Sequence, residues 1–227
     1  TTQQQQQQRA LITSFDGCGV WRNPYNTAWD GASAGPFTDG EWYHLDQNAR
    51  SDPGFLGYQG LVNLLPSTAL TGSTVVVPRS HGEFRANCER GGKRLDRGSF
   101  VPMHRTEANR AYCAARAVQV APLRPGDVLV WDARLVHCSA GVAKNLPETH
   151  ALRALRPPLA RLVAYVAMMP RARVSNHASV AAKRRAAVER GTGTGWNPLV
   201  MRSSAGTRAI SRSYRAPPAT DPLWTLV

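Results

Sequence analysis

Trp42-Tyr43-His44-Leu45-Asp46 reads as a short β-strand with two metal-ligating residue types at alternate positions. Successive side chains of a strand point to opposite faces, so His44 and Asp46 reach one point together while Leu45 faces away. Far downstream, Arg134-Leu135-Val136-His137-Cys138-Ser139 forms a second extended stretch with a histidine of its own. If that strand lies beside the first, two imidazoles and one carboxylate share one face of a metal. Such a set leaves coordination positions open and suits non-haem Fe(II), which must bind a cosubstrate and dioxygen as well.

Working outward, 227 residues suffice for one domain with a substantial core and make two full domains unexpected. Sixteen prolines and nineteen glycines punctuate short apolar runs, which favours a turn-rich β architecture. The runs at 10–15, 56–65, 73–77, 117–121, 127–131, 135–138 and 161–169 read as strands. Residues 175–190 read as a helix, alanine-rich, opened by Ser175 and closed by Gly191, with Lys183-Arg184-Arg185 as a solvated face. This gives a glutamine-rich disordered tail over 1–9, a single domain over 10–200 and a loosely ordered tail over 201–227. Within the domain, the polar, arginine-rich stretch 83–116 reads as a lid or insertion, and 171–191 as a basic helical segment.

The four cysteines, Cys18, Cys88, Cys113 and Cys138, have no C-x-x-C spacing, so reduced thiols are expected rather than a zinc knuckle or disulfide framework. No run approaches the ~20 apolar residues of a membrane span. No basic-then-apolar leader opens the chain, and a cytoplasmic location is the expectation, although a chain starting at Thr1 leaves targeting unread. The net charge is +13, concentrated beyond residue 80, and 25 of the 28 basic residues are arginine. Charge of that size suits a polyanion. The arginines are scattered, however, not interleaved with aromatics as base-stacking platforms require.

Pro125-Gly126-Asp127-Val128-Leu129-Val130-Trp131 is a turn and strand leading toward His137, and Ser139 shares the His137 face. Arg161 opens the apolar run Arg161-Leu162-Val163-Ala164-Tyr165-Val166-Ala167-Met168-Met169. A cation on a core strand is costly without an anionic partner, which a dicarboxylate would supply through a bidentate pairing. Together with Thr71-Gly72-Ser73-Thr74-Val75-Val76-Val77-Pro78-Arg79-Ser80-His81, these pieces resemble the phytanoyl-CoA dioxygenase-like branch of Fe(II)/2-oxoglutarate oxygenases. The resemblance runs in order from about Ser14 to Pro170. At its turn after the β-branched strand the family usually has Pro-Gly-Ser-His, and here Arg79 stands in place of the glycine.

The resemblance implies a mainly β fold, a double-stranded β-helix (jelly-roll, cupin-like) with flanking helices. It implies iron ligation by His44, Asp46 and His137, and 2-oxoglutarate held by Arg161 with Ser139 assisting. Gln59 and Asn63, four residues apart on one strand face, are further cosubstrate candidates. The long gap from His137 to Arg161 leaves Arg153 and Arg156 open as the carboxylate partner. The implied activity is hydroxylation of a small-molecule C–H bond, using dioxygen and converting 2-oxoglutarate to succinate. Two rivals stand beside it. A catalytically inactive jelly-roll binding module is disfavoured by the intact triad. A nucleic-acid-directed oxygenase suits the charge, but nucleobase demethylases place the aspartate and distal histidine much closer than the 91 positions here. The remaining histidines, His81, His104, His150 and His177, read as turn or surface residues, and Trp21, Tyr25 and Trp29 as aromatic packing before a substrate entrance.

Overall fold

The computed structural model describes residues 11–26, 28, 37–38, 40–92, 99–174, 176–193, 195–199 and 215–221. The tail expected over 1–9 and, apart from residues 215–221, the tail expected over 201–227 lie outside the described residues, as do Trp29 and Ser175. Among the described residues ten strands form: β1 (Leu11–Thr13), β2 (Cys18–Arg22), β3 (His44–Leu45), β4 (Tyr58–Asn63), β5 (Thr74–Val76), β6 (Val101–Pro102), β7 (Val118–Val120), β8 (Val128–Asp132), β9 (His137–Ser139) and β10 (Leu159–Pro170). Four helices accompany them: α1 (Phe84–Arg90), α2 (Glu107–Ala114), α3 (Ala151–Ala154) and α4 (His177–Arg190). The protein is mainly β with antiparallel sheets, the double-stranded β-helix class expected. The chain divides into two compact units, with strands β2, β4 and β10 contributing residues to both.

The larger unit comprises Gly19–Leu56 and Val62–Val163. Its central sheet has the order β6-β3-β9-β5-β7, so every neighbour comes from a distant part of the chain. The register is set by His44↔Pro102, His44↔His137 and Val76↔His137, with Thr74 opposite Ser139 one step along. Because side chains alternate, that register sorts the sheet into two faces of opposite character. Tyr43, Leu45, Val75, Val77, Val101, Met103, Val136 and Cys138 form a buried core cluster on one face. His44, Thr74, His137 and Ser139 have the opposite parity.

Phe84, Cys88 and Cys113 complete the apolar cluster, which corrects the reading of 83–116 as a lid or insertion. The stretch supplies α1, strand β6 and α2, and its apolar residues back the central sheet. Thr106 caps α2 by accepting the Asn109 backbone N–H at 3.2 Å, and Glu107 sits in the first turn where the helix dipole favours it. Its described arginines and glutamates are exposed or half-buried and hide a helical apolar pattern. The buried thiols are protonated: burial pushes Cys113 up to about 11 and Cys138 up to about 12. All four cysteines are free.

The same unit carries part of the second sheet, with β4 between β10 and β8 and with β2 also on β10. The 140–158 stretch that lengthens the route from His137 to β10 is packed, not slack. Val142, Leu146, Leu152 and Ala160 form a small core cluster against Tyr25. The buried amide of Asn23 donates to the carbonyls of Leu152 and Pro157, and the Tyr25 hydroxyl reaches those of Ala143 and Lys144.

The smaller unit comprises Thr1–Cys18, Gly57–Leu61 and Ala164–Val227. In it β1 pairs antiparallel with the end of β10, Leu11 opposite Pro170. A Cβ on Gly57 would meet the Met169 side chain at 2.6 Å and the Met168 carbonyl at 2.7 Å, so only glycine fits this close approach. Helix α4 is capped by Asn176, which accepts the Ser179 N–H, and closed by Gly191 in the left-handed region. The solvated-face reading of Lys183-Arg184-Arg185 needs correction at its centre, because Arg184 is fully buried. Its guanidinium donates to the Thr13 carbonyl and lies over the Phe15 ring, and burial lowers its pKa to about 10. A run of consecutive cations on a helix does not by itself disclose which member turns inward. No helix among the described residues is long and apolar enough to cross a membrane.

Candidate metal centre

The antiparallel pairing of β3 with β9 sets His44 directly opposite His137. Asp46, two residues past His44, follows where the strand bends. Its Oδ2 lies 3.9 Å from His44 Nε2 and 3.4 Å from His137 Nε2. One ligand atom from each of the three falls within 4.8 Å of the others. Among the described residues this is the only group of three or more histidines, cysteines or acids so arranged.

Both imidazoles are oriented the same way and by the same device. His44 Nδ1 lies 3.0 Å from the Trp42 carbonyl, and His137 Nδ1 lies 3.0 Å from the Leu135 carbonyl. A carbonyl only accepts, so each Nδ1 carries the proton and each Nε2 keeps its lone pair toward Asp46. Burial, and secondarily the neighbouring His137, lower the His44 pKa to about 4. His44 is therefore neutral at neutral pH, the form in which an imidazole can bind a metal. Its ring stacks on Trp42 at 4.3 Å and on Phe100 at 4.9 Å, and Trp131 lies 5.1 Å from the His137 ring. Aromatic rings thus flank both imidazoles.

The position of His137 along the chain is held by the turn before α1. Arg79 adopts the left-handed conformation, φ 63°, and delivers Ser80 to the interior. Ser80 Oγ accepts the Val136 N–H at 2.9 Å, and its carbonyl accepts the Asn87 amide at 3.0 Å. On the approach side, Asp132 receives the Arg134 backbone N–H and two guanidinium N–H groups, which closes the turn between β8 and β9. His81 remains exposed in its turn, whereas His104 bonds the Tyr43 carbonyl and His150 caps α3.

Arg161 is fully buried on β10. Its Nη2 donates to Thr74 Oγ1 at 3.0 Å, and its guanidinium carbon sits 4.4 Å from the centre of the Trp21 ring. Since Thr74 pairs with Ser139, two residues beyond His137, the guanidinium contacts the ladder one step from the triad. Arg153 is engaged elsewhere, with the Leu146 carbonyl and Glu148, and Arg156 is exposed with φ 46°.

Of the remaining cosubstrate candidates, Asn63 is corrected. Its amide donates to the carbonyls of Leu65, Leu123 and Arg124, and its oxygen accepts the Ser67 hydroxyl. That occupies the side chain as a clamp on the turn before β8. Gln59 is buried on β4 in the smaller unit. Thr74 and Trp21 were missed. Thr74 could have been found, because a strand over 73–77 places it at the same parity as Ser139 once the two strands are paired. Trp21 was read only as aromatic packing or the lining of a substrate entrance, since no strand is read over 18–22 to place it beside Arg161.

The phytanoyl-CoA dioxygenase (PhyH) family profile matches residues 30–143. No curated protein matches the chain significantly in sequence. Solved structures with similar folds include a GlcNAc-inducible protein of Candida albicans, 12% identical, TM-score 0.42, covering 60% of this chain and 32% of that one. EctD from S. alaskensis, solved with 2-oxoglutarate and 5-hydroxyectoine, is 17% identical at TM-score 0.38, covering 71% and 46%. The epimerase SnoN, solved with Fe3+, alpha-ketoglutarate and nogalamycin RO, is 19% identical at TM-score 0.30, covering 70% and 43%. The chain thus spans about a third to a half of the length of these structures.

Proposed function

Because the chain belongs to the phytanoyl-CoA dioxygenase family, we propose that it is an Fe(II)/2-oxoglutarate-dependent dioxygenase that hydroxylates a C–H bond of a small molecule. In the same cycle dioxygen delivers one oxygen atom to the substrate C–H bond and the other to 2-oxoglutarate, which leaves as succinate and CO2. The observation that carries this reading is the donor set: two imidazole Nε2 atoms and a carboxylate within 4.8 Å, with both Nδ1 atoms committed to carbonyls of their own strands. It fits an octahedral metal with open positions and does not resemble a closed structural site.

His44, Asp46 and His137 hold the iron, which when bound supplies dioxygen activation. The chain's own residues do the rest. The Nδ1–carbonyl bonds fix tautomer and ring orientation before the metal arrives, so little reorganisation accompanies binding. Two neutral imidazoles and one carboxylate leave a divalent cation with one net positive charge, which favours an anionic chelating cosubstrate. Arg161 pairs with the far carboxylate of 2-oxoglutarate, Ser139 assists, and Thr74 steadies the guanidinium. Trp42, Phe100 and Trp131 limit water around the donors, which matters for a strongly oxidising centre.

The test is anaerobic titration of purified protein with Fe(II) and then 2-oxoglutarate, following the visible metal-to-ligand charge-transfer band. Asp46→Ala should abolish the band and succinate formation, with iron affinity falling at least ~10–100-fold, since loss of an inner ligand costs no less than loss of its supporting hydrogen bonds. Well-folded protein that binds Fe(II) but shows no band with 2-oxoglutarate refutes the cofactor assignment. A band without succinate formation in air, across a substrate panel, identifies a binding module instead.

A further inference from the structure

We propose that Trp21 is a positioning residue for the cosubstrate: its indole face fixes the Arg161 guanidinium in the place from which it pairs with the far carboxylate of 2-oxoglutarate. The inference rests on the cofactor assignment above. Trp21 is buried on β2, a strand that hydrogen-bonds to β10, where Arg161 stands. The guanidinium carbon lies 4.4 Å from the ring centre, well inside the range in which a cation is attracted to an aromatic face.

The choice of an aromatic face has a chemical consequence. An arginine reaching across a sheet must lose the freedom of a long side chain and the hydration of its charge. A carboxylate partner from the protein would compensate for both, but would compete with any incoming carboxylate for the same N–H groups. An indole compensates without taking an N–H donor. Thr74 takes one, through Nη2, on the ladder that carries His137 and Ser139. Trp21 and Thr74 therefore both hold the head group, and neither of them places a carboxylate on it. Nothing in the Trp21 contact bears on the iron ligands, so its effect should depend on whether the ligand has a second carboxylate.

That dependence gives the experiment. Binding to Fe(II)-loaded protein under anaerobic conditions is measured for 2-oxoglutarate and for pyruvate, a 2-oxo acid lacking the far carboxylate, in wild type, Trp21→Leu and Trp21→Phe. The expected result is a loss of about tenfold in 2-oxoglutarate affinity for Trp21→Leu, the size of a desolvated cation–π contact. Trp21→Phe, which keeps a weaker ring face, should lose less. Pyruvate and Fe(II) affinities should stay within about twofold of wild type in both variants. Equal weakening of both oxo acids, or of Fe(II), overturns the inference by showing that Trp21 is general packing. Unchanged 2-oxoglutarate affinity in Trp21→Leu overturns it as well. Should Trp21→Leu fail to fold, Trp21→Phe decides alone through the ratio of the two oxo-acid affinities. Wild-type protein that binds Fe(II) but neither oxo acid overturns the functional reading, and this inference with it.

Discussion

Arg79 is the residue at which local strain and site geometry meet, and Arg79→Gly should make the protein more stable. The backbone there has φ 63° and ψ 2°, the left-handed region, and the turn is tied by Ser80 N–H to the Val77 carbonyl and Gly82 N–H to the Arg79 carbonyl. A residue with a Cβ is strained in this conformation by roughly 1–2 kcal/mol, which glycine does not incur. Against that, glycine gains freedom in the unfolded chain worth ~0.4–1 kcal/mol. The difference is a net stabilisation of roughly 0.5–1 kcal/mol, or a rise in Tm of roughly 1–4 °C for a chain of this length. Thermal and urea unfolding of wild type, Arg79→Gly and Arg79→Ala measure it. Alanine keeps the Cβ and so keeps the strain, and it should stay within about 0.5 kcal/mol of wild type for an exposed side chain. Iron affinity should not change, because Ser80 still faces Val136. If Arg79→Gly melts no higher than Arg79→Ala, the strain argument is wrong.

Ser80→Ala should destabilise the protein by roughly 1–3 kcal/mol, because it leaves the buried Val136 N–H without the acceptor it has at 2.9 Å; chemical denaturation measures this, and a change below half a kcal/mol would mean that β9 is held by its ladder alone. Glu83 is held at about 2, first by hydrogen bonds from Arg116 and then by the one from Tyr112. A carboxyl depressed on folding contributes stability above its ordinary pKa of 4.5, and that contribution is lost as pH falls from there toward 2. The Tm gap between wild type and Glu83→Gln should therefore be present at pH 7 and close by about pH 2, and a gap independent of pH would show that the charge on Glu83 is not what ties it to α2.

The strands were legible where alternation or β-branching was strong. The runs at 73–77, 117–121, 127–131 and 161–169 correspond to β5, β7, β8 and β10. Strand β2 was not, since Cys18-Gly-Val-Trp-Arg has too little alternation to separate it from the irregular stretch that follows. The 83–116 segment misled for a different reason. Its charged residues outnumber the inward-facing Phe84, Cys88, Val101, Met103 and Cys113, and composition averages over faces that the fold keeps apart.

By itself the sequence determined which donors exist and which of them share a strand face, because the two-residue period of an extended chain is a property of the backbone. The shared face of His137 and Ser139 follows from it directly, whereas Asp46 lies in the bend just past β3 and meets His44 there. Only the tertiary structure decided that β3 and β9 are neighbours in the register His44↔His137, that Arg161 reaches Thr74 instead of solvent, and that Asn63 is spent on a turn. Those outcomes depend on which strands pair across 91 intervening residues and on which carbonyls a turn leaves open. They are contests among long-range contacts, and no local propensity records who wins them.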